Sequence, residues 1–152
     1  MLPTPRKVKL VAGASEGPSP LNAFDNALLA AGIGNLNLIR VSSILPPGCV
    51  HEPNFSVPPG SLTPTAYGYL VSDEPGREIA AAIGVGFSED DYGVIMEFDG
   101  YCTRDEAAAK VADMVREAFV ARGKRLHDLR VEAVAHRVER QGAALAAAVM
   151  WY

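Results

Sequence analysis

The sequence predicts an α+β domain in which sheets lie face to face with helices outside them. Three observations lead there. Roughly six or seven segments either alternate apolar with polar side chains or form short apolar runs, the mark of strands. Two longer segments repeat their apolar side chains every three or four residues, the mark of helices. The two kinds do not follow one another in regular βαβ order.

The first strand is Lys7-Val8-Lys9-Leu10-Val11-Ala12, charged and apolar by turns, and a polar loop over residues 13–19 follows it. Ser19 then Pro20 is a helix start, with serine as N-cap and proline at the first helical position. The helix runs to about Ala31, carries Leu21, Phe24, Leu28 and Ala31 on one stripe, and stops at Gly32. Asp25 lies beside that stripe in the helix interior. In the next strand Asn37, Ile39 and Val41 share one face, with Leu36, Leu38 and Arg40 on the other. It ends in Ser42-Ser43-Ile44-Leu45 and breaks at Pro46-Pro47, because two prolines remove two backbone donors. Residues 46–64 are proline-rich and read as an ordered irregular loop.

A strand over residues 65–72 puts Tyr67 and Tyr69 on one face, and Asp73-Glu74-Pro75-Gly76 turns the chain. The small-residue strand over residues 79–87 contains Gly84 and Gly86, which suits close approach by another backbone. After a turn at residues 88–91, a strand over residues 92–98 faces Tyr92, Val94, Met96 and Phe98 one way and Gly93, Ile95 and Glu97 the other. Glu97 is the odd residue there: either a rim position, or a carboxyl whose affinity for its proton is raised by desolvation, as a general acid at neutral pH requires. Thr103 with Glu106 three residues on is a capping box; its helix bears Ala107, Val111, Met114, Val115, Ala118 and Phe119 on one face and ends at Gly123. Residues 129–138 alternate as a half-wet strand, and the alanine-rich run over residues 143–151 is a strand buried on both faces or at an interface.

Composition limits the function. With 152 residues, 49% apolar and 21% charged, the chain suits one globular domain with one core, residues 1–152. Its net charge is −4 and its 14 basic residues are scattered, which argues against nucleic acid or an anionic membrane as partner. The amino terminus lacks a signal-peptide apolar run, and no stretch reaches the ~20 apolar residues of a membrane helix, so a cytoplasmic protein is expected. Cys49 and Cys102 lie far apart and read as reduced thiols. His51, His127 and His136 show no metal-ligand spacing, so no metal is implied.

Several ordered stretches carry a more specific signal. They are Ser15-Glu16-Gly17-Pro18-Ser19-Pro20-Leu21-Asn22-Ala23-Phe24-Asp25-Asn26-Ala27-Leu28-Leu29, then Gly32-Ile33-Gly34-Asn35, Val41-Ser42-Ser43-Ile44, Asp91-Tyr92-Gly93-Val94-Ile95-Met96-Glu97-Phe98 and Gly142-Ala143-Ala144-Leu145-Ala146-Ala147-Ala148. Together they resemble the pyruvoyl-dependent arginine decarboxylase family over nearly the whole chain. The resemblance implies a four-layer αββα sandwich assembled as trimers, or as dimers of trimers, with active sites between neighbouring subunits. It implies self-cleavage between Ser42 and Ser43 into a β chain, residues 1–42, and an α chain, residues 43–152, with Ser43 becoming the covalent pyruvoyl cofactor. By the same resemblance Asn37 serves the processing step, Glu97 is the proton donor and Asp25 meets the guanidinium of arginine, a pairing suited to two parallel hydrogen bonds.

That chemistry is coherent. Loss of CO₂ from an amino acid leaves electrons on the α-carbon, and a carbonyl that forms an imine with the substrate amine accepts them. To make one, Ser43 Oγ attacks the Ser42 carbonyl to give an ester. Elimination releases the new carboxyl end and leaves a dehydroalanine at 43, which tautomerises and exchanges ammonia for water. A strained turn and an oxyanion donor, for which Asn37 is the candidate, would assist the first step. Agmatine is the expected product. Two other readings are another substrate, a different cationic amino acid or S-adenosylmethionine, and an unprocessed paralogue that binds without catalysing.

Overall fold

The computed structural model describes residues 2–152. In chain order its elements are β1 (Lys7–Glu16), α1 (Pro20–Ala30), β2 (Asn37–Arg40), β3 (Ile44–Leu45), β4 (Val50–His51), β5 (Leu62–Ser72), β6 (Glu78–Phe87), β7 (Gly93–Gly100), α2 (Arg104–Ala121), β8 (Asp128–Arg137) and β9 (Gly142–Trp151). They form a five-stranded sheet in the order β2-β5-β9-β1-β4 and a four-stranded sheet in the order β3-β7-β6-β8.

The alanine-rich β9 explains how these layers stack. Ala144, Ala146, Ala148 and Met150 join the core between the two sheets, while Ala143, Leu145, Ala147 and Val149 join the core beneath α1. Both faces are apolar because both are covered, and small side chains let each neighbouring layer come close. In the other sheet β6 does the same: Ile79, Ala81, Ile83 and Val85 face the inter-sheet core, and Ala80 and Ala82 face α2. The order of layers is therefore α1, five-stranded sheet, four-stranded sheet, α2, an αββα sandwich of the α+β class.

Both helices start where the sequence predicts. Ser19 caps α1 by accepting from the Asn22 amide with Pro20 at the first turn, and Thr103 and Glu106 form a reciprocal capping box on α2. Gly32 (φ 83°) and Gly123 (φ 60°) follow the two helices in the left-handed conformation that favours glycine.

Four expectations need correction. β1 continues to Glu16 through the predicted polar loop, because it pairs with β9 without a break from Lys7↔Trp151 to Glu16↔Gly142, and a backbone ladder is indifferent to side-chain polarity. Within that strand only glycine fits at position 13, since a Cβ there would stand 2.5 Å from the Ala27 carbonyl oxygen of α1. β5 begins inside the predicted loop, at Leu62; Pro64 is tolerated because pairing with β9 starts only at Thr65. The short strands β3 and β4 also arise within residues 44–51, giving nine strands among the described residues. Finally, what comes close to Gly84 and Gly86 is not a backbone but the side chains of α2: added Cβ atoms would meet Val115 Cγ2 at 3.0 Å and Phe119 Cε1 at 2.5 Å.

Both cysteines are free thiols, and burial pushes the Cys49 thiol up to about 11. Among the described residues no group of His, Cys, Asp or Glu has metal-site geometry, and no helix is long and apolar enough to cross a membrane.

Glu16 ties three elements together. Its carboxylate accepts from the backbone amides of Glu139, Arg140 and Gln141 in the β8–β9 turn, and lies 2.6 Å from His136 Nε2. Its backbone carbonyl accepts from Asn26 of α1. Desolvation favours its protonated form but is outweighed by those donors, so the carboxyl is held at about 2 against an ordinary 4.5. A depressed carboxyl contributes stability that is complete above its unfolded value and lost as pH falls toward the folded one. Glu16→Gln should therefore cost about 1–3 kcal/mol at pH 7. In urea unfolding, its deficit against the natural chain should shrink between pH 5 and about pH 2; a deficit independent of pH would contradict the assignment.

Candidate active site

Residues 41–43 carry the chain from one sheet to the other. On one side the Val41 amide donates to the Thr65 carbonyl of β5 (3.1 Å); on the other the Ile95 amide of β7 donates to the Ser43 carbonyl (2.7 Å). Ser42 lies exposed between these anchors and Ser43 is half-buried. The expected strained turn is not seen as left-handed backbone: Asp90 is the one non-glycine residue with positive φ among the described residues.

The register places Ser43. Ile44 pairs with Val94 and Leu45 with Gly93, so one step back sets Ser43 opposite Ile95, in keeping with the hydrogen bond between them. Leu45 and Ile95 both point into the inter-sheet core. Alternation gives Ser43 that same face, and Glu97 follows Ile95 on it by two residues. Ser43 and Glu97 are thus diagonal neighbours across β3 and β7, a relation with backbones about 7–8 Å apart.

Glu97 is half-buried and reaches across to β5. The surface it meets is Gly68, where an added Cβ would be 3.0 Å from Glu97 Cβ and 3.1 Å from Cγ. Asp99, two residues further on, brings its Oδ1 to 3.8 Å of the same point. Burial lifts the Glu97 carboxyl above its ordinary value, with Arg40 opposing and Asp99 adding to the rise. Burial also lifts Asp99, and Arg40 opposes it. Arg40 is held over the Tyr67 ring, 4.6 Å from its centroid, and donates to the Tyr67 carbonyl at 2.8 Å.

Asn37 and Asp25 lie elsewhere in the protomer. Asn37 opens β2, five residues before Ser42, a separation of roughly 16 Å in extended backbone. Its Nδ2 donates to the Gly60 carbonyl at 2.9 Å. Asp25 is exposed on α1, which covers the outer face of the five-stranded sheet, while Ser43 and Glu97 face the inner side. It makes no hydrogen bond or ion pair among the described residues. Of the five predicted positions, then, one protomer brings Ser42, Ser43 and Glu97 together and leaves Asn37 and Asp25 apart. A cavity of about 590 Å³, lined by residues including Cys49, His51, His127 and Arg130, contains none of the five.

Arg40, Gly68 and Asp99 complete the neighbourhood without having been singled out by sequence. Asp99 has the parity of Ile95 and Glu97 but falls just past Phe98, where the predicted strand ends. Arg40 is assigned by alternation to the face of Leu36 and Leu38, and only β2's edge position lets its charge bear on Glu97.

Comparison with known proteins relates nearly the whole chain to one family. A family model described as pyruvoyl-dependent arginine decarboxylase (PvlArgDC) matches residues 7–152. A pyruvoyl-dependent arginine decarboxylase of Methanocaldococcus jannaschii is 52% identical over 150 residues, covering 97% of this chain and 91% of that one. Those of Thermococcus sibiricus and Pyrococcus abyssi are 46% and 45% identical, covering 97% and 98% of this chain and 96% of theirs.

Arg40 is the cation that restrains both carboxyls. Arg40→Gln should move the titration midpoints of Glu97 and Asp99 upward, followed by ¹³C-carboxyl NMR. Unmoved midpoints would mean that solvent screens the guanidinium from them.

Proposed function

The chain belongs to the pyruvoyl-dependent arginine decarboxylase family, and on that premise we propose that it converts L-arginine to agmatine and CO₂ on a pyruvoyl group made from its own Ser43. The observation that carries this reading is the seat of residue 43: its carbonyl is held by the Ile95 amide, and Glu97 stands diagonally across on the same inward face. The fit to the cofactor is direct, because the carbonyl so held is retained when the Ser43 side chain and amine are converted.

Maturation rearranges the crossing segment. Ser43 Oγ attacks the Ser42 carbonyl carbon as the Ser42–Ser43 amide breaks, giving an ester; elimination then leaves a carboxylate at Ser42, and one water enters as one ammonia leaves. Both new ends have anchors that do not depend on the severed bond, Val41 on β5 and residue 43 on β7. The 1–42 β chain keeps the ten residues of β1 paired along β9 of the 43–152 α chain, so the fragments remain one folded unit.

In decarboxylation a pyruvoyl carbonyl supplies the electron sink that no ordinary side chain offers. The protein's own residues bind, orient and deliver the proton. Glu97, its carboxyl lifted above the ordinary value by desolvation, gives a proton from Oε to the substrate α-carbon. Asp25 pairs with the guanidinium and so selects a cationic substrate, and Asn37 assists the processing step. Since both lie away from Ser43 within a protomer, they act across a subunit boundary, in a trimer or dimer of trimers. Exposed apolar side chains flank the crossing segment at Ile39 and Ile44, another lies beside Asn37 at Leu62, and they suit such contact. We assign the protein to the cytoplasm, where its free thiols stay reduced.

Denaturing mass spectrometry tests maturation: two fragments, 1–42 and 43–152, the second blocked at its amino end, are expected, whereas Ser43→Ala should remain a single inactive chain. An intact natural chain after long incubation would overturn the reading. Asp25→Asn should leave cleavage intact while raising KM for arginine about ten- to a hundredfold, the loss of a charge-assisted pair of ~1.5–3 kcal/mol. Equal damage to cleavage and turnover would remove Asp25 from the substrate site.

A further inference from the structure

Glu97 is not the only carboxyl at the mouth between the sheets. Glu97 and Asp99 occupy alternate positions on β7, hence one face of it, and both come to rest against Gly68 of β5. Their settings differ. Glu97 is half-buried, whereas Asp99 stands at the rim with more of its surface in water, although burial lifts its carboxyl too. Of the two, Asp is also the stronger acid in water. With both against the same glycine on one strand face, the better solvated carboxyl ionises first and its charge opposes ionisation of the other.

The rest of the surroundings offers little to offset that charge. In β6, Ile83 stands opposite Glu97 and Ala81 opposite Asp99, and β5 presents the bare backbone of Gly68. The inward side chains of β9 are Ala144, Ala146, Ala148 and Met150. From β2, Arg40 is the cation that bears on both carboxyls, but it is exposed and turned over the Tyr67 ring, with a hydrogen bond to the Tyr67 carbonyl rather than to either acid. Beyond Asp99, the Cys102 thiol is raised by burial first, and then by Glu106, Glu78 and Asp99.

We propose that Asp99 is a positioning residue for the decarboxylation: from the rim, its carboxylate keeps the proton on Glu97 until that proton is delivered to the substrate carbon. The inference rests on the reading of Glu97 as proton donor. Glycine at 68 belongs to the same device, since any side chain there would displace Glu97.

The pH dependence of kcat/KM tests it, because that profile reports the essential acid of the free enzyme. A proton donor is lost as pH rises through its titration, so removing the neighbouring charge should move the alkaline limb toward lower pH. With Asp99→Asn, measured on fully cleaved protein, the ratio of activity at pH 8 to that at pH 6 should fall roughly three- to tenfold, and Asp99→Glu should restore it. Glu97→Gln separates the inference from the reading beneath it. Cleaved Glu97→Gln with natural turnover would remove Glu97 as proton donor and the proposal with it. Inactive Glu97→Gln together with an unmoved limb in Asp99→Asn would overturn the role of Asp99 alone. If Asp99→Asn fails to mature, ¹³C titration of Glu97 in the uncleavable Ser43→Ala chain, with and without Asp99→Asn, gives the answer without activity. A lower Glu97 midpoint in the double variant supports the proposal, and an equal or higher one overturns it.

Discussion

The constraint on which the site depends is that three residues must take the chain from one sheet to the other while both ends stay hydrogen-bonded. Val41 belongs to the β2–β5 ladder and Ser43 to the β3–β7 ladder, so the Ser42–Ser43 peptide lies in the short link between the two anchors. A single backbone hydrogen bond is worth a net ~1 kcal/mol and could not keep two fragments together. The ten-residue β1–β9 ladder and the burial of α1 against β9 can. Breaking the chain at this point is therefore compatible with keeping the fold, and would release two ends at the mouth between the sheets, beside Glu97.

The same crossing explains why a carboxyl can be kept where it is. The inter-sheet space is apolar along most of its length, filled by Ile83, Val85, Ile95 and the alanines of β9. Deep within it an unpaired charge would be prohibitive. At the mouth, β2 is an edge strand and β3 is only two residues long, so water reaches one side of Glu97 while β5 and β6 shield the other. That intermediate setting lifts the carboxyl without making it inert, and Gly68 supplies the room.

Much of this was legible in the sequence, for identifiable reasons. Helix caps are local, so Ser19-Pro20 and Thr103…Glu106 read correctly; so did the double-faced apolar pattern that makes β9 a central strand. The extension of β1 to Glu16 and the entry of Pro64 into β5 were not legible, because they are decided by the partner strand and not by the residues themselves. The nearness of Ser43 to Glu97 depends on a two-residue strand, β3, too short to have a period. Asp99 was hidden by a strand end placed one or two residues early; Arg40 does lie on the face that alternation gives it, over Tyr67, and its bearing on Glu97 comes from the open edge of the sheet, which no period reveals.

The separation of Asp25 from Ser43 is the most informative departure. The five-stranded sheet stands between α1 and the inter-sheet mouth, and no side-chain rotation carries a carboxylate through a closed backbone ladder. Asn37 is similarly held at the far end of β2 by its bond to Gly60. If these two residues act on the same substrate and the same peptide as Ser43 and Glu97, the only arrangement consistent with the fold is one in which a neighbouring copy presents its α1 and the start of its β2 to the crossing segment. The apolar side chains of Ile39 and Ile44 lie on either side of that segment, with Leu62 beside Asn37, and would be buried by such a neighbour. On this argument oligomerisation is not an accessory to the proposed activity but the step that completes the site, and an isolated protomer would hold the proton donor without the means to select its substrate.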